Sequence, residues 1–251
     1  MRTYLEERLQ WYDDNYREGN ALISDAQFDQ LEQNLQRIDP KCDYFIAKNN
    51  LILPSLPKDQ KKEFLESLLN KTRLIIEPKI DGCEIGLQYN DGILTKAISR
   101  KGKDFTNKLK DIPDVPNKIK VRGLFQVRGE LFAPSENERP SYSQRKASLY
   151  LRAAYSKSDH LSFSCYQILN GKINQYDSLV YLEKLGFTIP ENYFCNYTSG
   201  VEIFRKNWLD KKVFANYPTD GIVIKINSRK LQLLREKSFG TYPHWQIAIK
   251  Y

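Results

Sequence analysis

Glu77-Pro78-Lys79-Ile80-Asp81-Gly82 is the stretch on which the reading of this chain turns. It follows the apolar run Leu74-Ile75-Ile76 and leads into residues 83–89, which alternate in the manner of a strand. At a period of two, Glu77, Lys79 and Asp81 fall on one face of the chain. Gly82 then permits a sharp turn or a close backbone approach. A lysine set between two carboxylates is either a salt-bridged strand end or an amine prepared for chemistry. A nucleophilic lysine must lose its proton, which needs a partly desolvated or cation-rich pocket. Neighbouring carboxylates alone push the other way, because they stabilise the ammonium. The chemical reading therefore requires further cations from elsewhere in the chain, and the hexapeptide by itself leaves both readings open.

Outward from this point the pattern is β-rich. Asn90-Asp91-Gly92 is a hairpin signal, since Asp-Gly accepts the positive φ of a tight turn, and residues 93–99 form the returning strand. Further strands are predicted at 124–132, 161–169, 221–226 and 245–250. Helices are predicted at 59–69, 143–155, 176–185 (stopped by Gly186) and 201–211. Ahead of them, Leu5, Leu9, Tyr12 and Tyr16 recur at helical spacing. Ser24-Asp25-Ala26-Gln27 has the form of a capping box opening a second helix, with Phe28, Leu31, Leu35 and Ile38 as its apolar face. Asp39-Pro40 ends it. The fold class is mixed α+β with largely antiparallel, hairpin-linked strands, not a regular βαβ alternation.

Three later stretches supply the missing cations. Val127-Arg128-Gly129-Glu130-Leu131-Phe132 puts Arg128 and Glu130 on one side of an otherwise apolar strand. Asp220-Gly221-Ile222-Val223-Ile224-Lys225 opens with an acidic turn and ends a hydrophobic strand in a lysine. Trp245-Gln246-Ile247-Ala248-Ile249-Lys250 ends another the same way. A lysine closing a buried strand commonly marks the chain emerging into solvent. The alternative is that the two, together with Lys79, aim several amines at one phosphate, an arrangement that stabilises charge on a transferring phosphoryl group.

Composition narrows the partners. The 251 residues carry 41% hydrophobic and 28% charged side chains and a formal net charge of +8, which suits a polyanion such as nucleic acid or a dinucleotide. No apolar run approaches the roughly 18 residues of a membrane span. The amino terminus turns charged too early for a secretion signal. Cys42, Cys83, Cys165 and Cys195 are scattered without a C-x-x-C pair, which reads as free thiols in a reducing cytosol, and no metal ligands are assigned.

The four stretches, in this order, resemble the signature motifs of the covalent nucleotidyltransferases, namely DNA ligases, RNA ligases and mRNA capping enzymes. Lys79-Ile80-Asp81-Gly82 matches their K-x-D-G nucleophile motif. All four, with Pro54-Ser55-Leu56 as an adenosine-contacting loop, resemble the NAD-dependent ligase of bacterial or phage type. The resemblance implies an ATP-grasp-like ligase core over residues 50–251 and a small helical module over residues 1–49 that holds the nicotinamide mononucleotide (NMN) half. Tyr16, Arg17, Asp25, Phe28 and Asp29 match that module's residues. Arg17 stands where the family has histidine and Phe28 where it has tyrosine; Arg17 still pairs with phosphate, while Phe28 loses a hydroxyl donor. Arg100 matches an arginine beyond the second strand, although the following Lys101-Gly102-Lys103-Asp104 departs from R-G-D-G. Arg145 and Arg152 resemble phosphate-touching arginines in a poorly matched segment.

As chemistry, the resemblance implies that Lys79 attacks the α-phosphorus of NAD, expels NMN and keeps AMP as a phosphoramidate. Lys225 and Lys250 then hold the phosphate, Glu130 the ribose, and Ser55, Leu56, Glu77, Gly82 and Tyr166 surround the nucleotide. Asp81 and Asp220 orient Lys79 or help place Mg²⁺. AMP passes to the 5′-phosphate of nicked double-stranded DNA, as replication and repair demand. Family members continue into OB-fold and further DNA-binding domains, whereas this chain stops at Tyr251. The expectation is therefore a cytoplasmic split-ligase subunit whose missing domains come from a second polypeptide or a missing region. The alternatives are an ATP-dependent DNA or RNA ligase, or a non-catalytic nucleic-acid-binding subunit with the same fold.

Overall fold

Among the described residues, eight strands build two four-stranded sheets. The computed structural model describes residues 4–17, 22–39, 61–69, 71–100, 102–134, 140–153, 160–169, 171–239 and 244–250. The strands are β1 (Leu74–Ile80), β2 (Cys83–Asn90), β3 (Ile93–Ser99), β4 (Leu124–Phe132), β5 (Ser162–Ile168), β6 (Tyr193–Cys195), β7 (Thr219–Ile226) and β8 (Gln246–Lys250). One sheet runs β6-β1-β7-β8 and the other β3-β2-β4-β5, and all six of these strand pairings are antiparallel. The β2–β3 hairpin turns at Asp91 and Gly92, both at positive φ (48° and 80°), as the Asp-Gly pair predicts.

Alternation along each strand separates an apolar from a polar face. In the first sheet Leu74 and Ile76 of β1, Ile222, Ile224 and Ile226 of β7, and Ile247 and Ile249 of β8 share one core. Phe64 of α3 (Lys61–Glu66), Val201 of α7 (Gly200–Leu209), Phe214 and Trp245 close over it. In the second sheet Ile85, Leu87, Val127, Leu131, Phe163 and Cys165 point the other way, beneath Ala147, Tyr150 and Leu151 of α5 (Pro140–Arg152) and Leu182 of α6 (Gln175–Lys184). Between these positions stand Glu77, Lys79 and Lys225, with the buried Ile75 and Val223 beside them on the same face of the first sheet, and Glu84, Arg128 and Glu130 on the second; these charged side chains line a cleft between the sheets. Each sheet thus has its own core behind it, and neither gives up apolar burial to form the cleft.

By compact packing the chain divides into a unit over Met1–Ile52 and one over Leu53–Tyr251. In the smaller unit, α1 (Tyr4–Arg17) and α2 (Asp25–Ile38) pack through fully buried Leu9 and Leu35, with Leu5, Phe28 and Leu31 around them. The predicted capping box forms: Ser24 Oγ accepts from the Gln27 amide at 3.3 Å, and Gln27 Oε1 accepts from the Ser24 amide at 3.0 Å.

Three elements go beyond the sequence expectation: the short α4 (Thr106–Leu109), the edge strand β6, and α8 (Arg229–Phe239). α8 carries four basic residues among eleven, which obscures the partly buried Leu231 that packs it down. The predicted helix over 59–69 is helical only at Lys61–Glu66 within the described residues, and that over 143–155 starts earlier, at Pro140, where proline suits a first turn.

Candidate active site

The chain crosses from one sheet to the other at Lys79–Gly82. β6 pairs only with Leu74, Ile75 and Ile76 of β1, so beyond Ile76 this side of β1 is an edge. Pro78, which lacks an amide donor, is tolerated there while β1 still pairs with β7. The register slips between Pro78 and Ile80, where Asp220 and Gly221 form a bulge in β7 opposite Lys79. The Asp81 amide then donates to Pro218 O at 2.8 Å. Gly82 passes so near β4 that an added Cβ would lie 2.2 Å from Leu131 O. Its amide donates to the Glu130 carboxylate.

At this crossing two amines meet one carboxylate. Lys79 Nζ lies 2.6 Å from Asp220 Oδ1 and Lys250 Nζ 2.7 Å from Asp220 Oδ2. Lys79 comes from β1, Asp220 from β7 and Lys250 from β8, and the antiparallel register sets Gly221 opposite Lys250. Burial opposes charge on Asp220, but the hydrogen bonds from Lys250 and Lys79 outweigh it and hold the carboxyl below its ordinary range. Asp81 shifts upward, first through burial and then through repulsion by Asp220. Two carboxyl groups beside one lysine are thereby driven apart in proton affinity.

Deeper along the same strands lies a second cluster. Lys225 is only 2% exposed and pairs with Glu77, Nζ to Oε2 at 2.6 Å. Burial lowers its proton affinity, and Glu77 opposes that shift. Gln175, the first residue of α6, donates to Glu77 Oε1 and to Tyr166 O, each at 3.0 Å. Lys225 also donates to Tyr166 O at 3.1 Å and stands 4.8 Å from the Tyr166 ring centroid.

Tyr166 reaches the cleft by way of a bulge. Between β4 and β5 the register shifts so that Gln167 pairs with Arg128 and Cys165 with Gly129, leaving Tyr166 as the extra residue. Tyr166 and Gln167 consequently both turn to the polar side while Cys165 stays in the core. Gln167 Oε1 accepts from Arg128 Nε at 2.8 Å, and Glu84 Oε1 accepts from Arg128 Nη1 and from the Tyr166 hydroxyl, each at 3.2 Å. Glu84 stands directly across from Glu130 on the paired strand. Burial, then repulsion by Glu84, pushes the Glu130 carboxyl well above its ordinary range.

Of the residues singled out in the sequence, Glu77, Lys79, Asp81, Gly82, Glu130, Tyr166, Asp220, Lys225 and Lys250 gather in this cleft. Arg100 is exposed in the turn after β3, and Arg145 and Arg152 are exposed on α5. Ser55 and Leu56 lie outside the described residues. Tyr16 and Arg17 belong to α1 and Asp25 and Asp29 to α2, but their side chains lie outside the described part; Phe28 packs half-buried against the helical pair. Sequence reasoning missed Glu84, Gln167 and Gln175. Glu84 did carry a signal, since it alternates with Ile85 and Leu87 onto the face of Gln88. Gln167 depends on the bulge and Gln175 on a helix start, neither visible in local periodicity. Among the described residues no group of three or more His, Cys, Asp or Glu converges to hold a metal ion.

The chain as a whole has clear relatives. The chain is 30% identical to the DNA ligase of Petrotoga mobilis over all of its own length and 45% of that protein, and 32% identical to the DNA ligase of Gloeobacter violaceus over 70% of the chain and 30% of that protein. It spans about half the length, or less, of the curated relatives it matches. A solved structure described as Pmar-Lig_Pre shares the fold at a TM-score of 0.52 and 13% identity, over 92% of this chain and 52% of that one. The model of the NAD-dependent DNA ligase adenylation domain matches residues 58–251, and the chain belongs to that family.

Proposed function

We propose that this chain is the adenylating part of an NAD-dependent DNA ligase. Lys79 Nζ forms a bond to the α-phosphorus of NAD as the bond to the NMN phosphate breaks. The displaced NMN carries away the electron pair, and the amine proton leaves through Asp220 or water. The observation that carries this reading is the convergence of Lys79 and Lys250 on the two oxygens of Asp220. When a phosphate enters, Asp220 holds the leaving proton and Lys250 is positioned to meet the developing negative charge. Lys225 and Glu77 lie further along β7 and β1, beside Tyr166, where the adenosine is accommodated, and Glu130 faces the ribose.

The helical unit is assigned to the NMN half of the cofactor through Tyr16, Arg17, Asp25, Phe28 and Asp29, and Ser55 and Leu56 are assigned to the adenosine. Mg²⁺ belongs to the reading as a companion of the cofactor's phosphates, because the described residues form no protein cage for it. The acceptor of AMP is the 5′-phosphate of nicked double-stranded DNA, in keeping with the net charge of +8. Sealing then draws on a second subunit or a further region carrying an OB-fold.

The test is the intact mass of the purified chain after incubation with Mg²⁺ and either NAD or ATP. One AMP gained from NAD alone, and absent in Lys79→Ala, supports the whole reading. A gain from ATP alone overturns the cofactor assignment, and no gain from either overturns the assignment of a self-sufficient adenylating unit.

A further inference from the structure

Tyr166 is held at both ends. Its carbonyl accepts from Lys225 and Gln175, and its hydroxyl donates to Glu84. Glu84 does this from two strands away: the sheet order is β3-β2-β4-β5, so the contact from β2 to β5 passes over Arg128 of β4. Arg128 is 2% exposed, forms an ion pair with Glu84 at 3.2 Å, and places its guanidinium 5.7 Å from the Tyr166 ring centroid. A tyrosine ring is loosely defined about its second torsion, and Tyr166 is additionally displaced from the regular ladder by its bulge. Its hydroxyl, with Lys225 and Arg128 over the ring face, is therefore a handle by which the ring plane is fixed. Burial first, then Glu84 and Glu130, raise the proton affinity of that hydroxyl, so it remains a donor.

We infer that Glu84 is a positioning residue for nucleotide binding: its hydrogen bond from the Tyr166 hydroxyl, backed by Arg128, sets the ring of Tyr166 as the surface on which the adenine rests. This rests on the function proposed above. A side chain already fixed before binding spares the cofactor the entropy of ordering it, so the contribution falls on affinity and not on the bond-making step. The competing account is that Glu84 only neutralises the buried Arg128.

Self-adenylylation by the whole chain, followed as rate against NAD concentration, separates these accounts. Tyr166→Phe keeps the Glu84–Arg128 pair and removes only the hydroxyl; Glu84→Gln keeps an acceptor and removes the charge. Tyr166→Phe and Glu84→Ala are each expected to raise the half-saturating NAD concentration about 3- to 10-fold, with the saturating rate within about twofold of wild type. The double variant is expected to be no worse than the poorer single one, because both remove the same bond. Glu84→Gln is expected to stay within about twofold of wild type on both measures. An unchanged half-saturating concentration in Tyr166→Phe, multiplying effects in the double variant, or a loss confined to the saturating rate overturns the inference. Failure of the wild-type chain to react with NAD overturns the underlying function instead.

Discussion

Lys79 and Lys250 meet on a single carboxylate, their amines 2.6 and 2.7 Å from opposite oxygens of Asp220. Two cations that would repel each other are brought together by one shared anion, and each occupies one oxygen. The arrangement is asymmetric in exposure: the Lys250 side chain is 46% exposed and that of Lys79 20%. Lys79 is therefore the more desolvated of the two, as a nucleophile requires.

Asp220→Asn removes the shared charge while preserving shape. Adenylylation from NAD is expected to fall by about 10²-fold, the scale of a positioned proton acceptor, with the far-ultraviolet circular dichroism spectrum unchanged. Single-turnover rates at saturating NAD measure it.

The same carboxylate predicts an acid limb of stability. Asp220 is held below its ordinary value of 3.8, so its contribution is present above that value and is lost as pH falls through the lowered one. Asp220→Asn should lie below wild type in Tm near neutral pH, by the equivalent of roughly 1 kcal/mol given its partial exposure. The two curves should converge as pH drops below 3.8.

Glu130 predicts the opposite sign. Its carboxyl is raised well above the ordinary 4.5, so its favourable contribution is present below that value and is lost as pH rises through the raised one. Glu130→Gln should match wild type at about pH 4 and exceed it in stability at mildly alkaline pH. Urea midpoints across a pH series measure the gap.

Lys225 and Glu77 form a pair buried to 2% exposure each. Glu77→Leu or Lys225→Met alone leaves an unpaired buried charge and is expected to cost about 3–5 kcal/mol. The double variant should recover most of that stability in urea unfolding yet fail to accept AMP from NAD. Recovery of adenylylation along with stability would show the pair to be structural only.

At Gly82 a methyl group has nowhere to go, with Leu131 O 2.2 Å from the added carbon. Gly82→Ala is expected to cost at least about 1–3 kcal/mol and to lower the fraction of chain that takes up AMP, by forcing the crossing away from β4. Thermal unfolding and the intact-mass assay, run side by side, report both effects.

Much of this site was readable before any coordinates, because period-two alternation places Glu77 with Lys79 and Arg128 with Glu130 wherever the strands pair. The apolar positions of β1, β7 and β8 forecast the core for the same reason. What local pattern does not contain is the slip in register. Alternation carried through Tyr166 would send Gln167 toward the core side, and the bulge instead turns both to the cleft. The partnership of Glu84 with Tyr166 likewise depends on strand order, which is decided by long-range pairing across an intervening strand. α8 was missed because its charge masks a thin apolar stripe, and β6 because three residues are too few to show a period.

The crossing at Lys79–Gly82 has a mechanical consequence. β1 and β2 belong to different sheets, so the chain on either side of Lys79 is gripped by two separate ladders. Glu77 and Pro78 are held by β7, and Cys83 and Glu84 by β4. The backbone that carries the Lys79 amine is thus anchored from both sheets at once, and neither ladder can slip here without dragging the other.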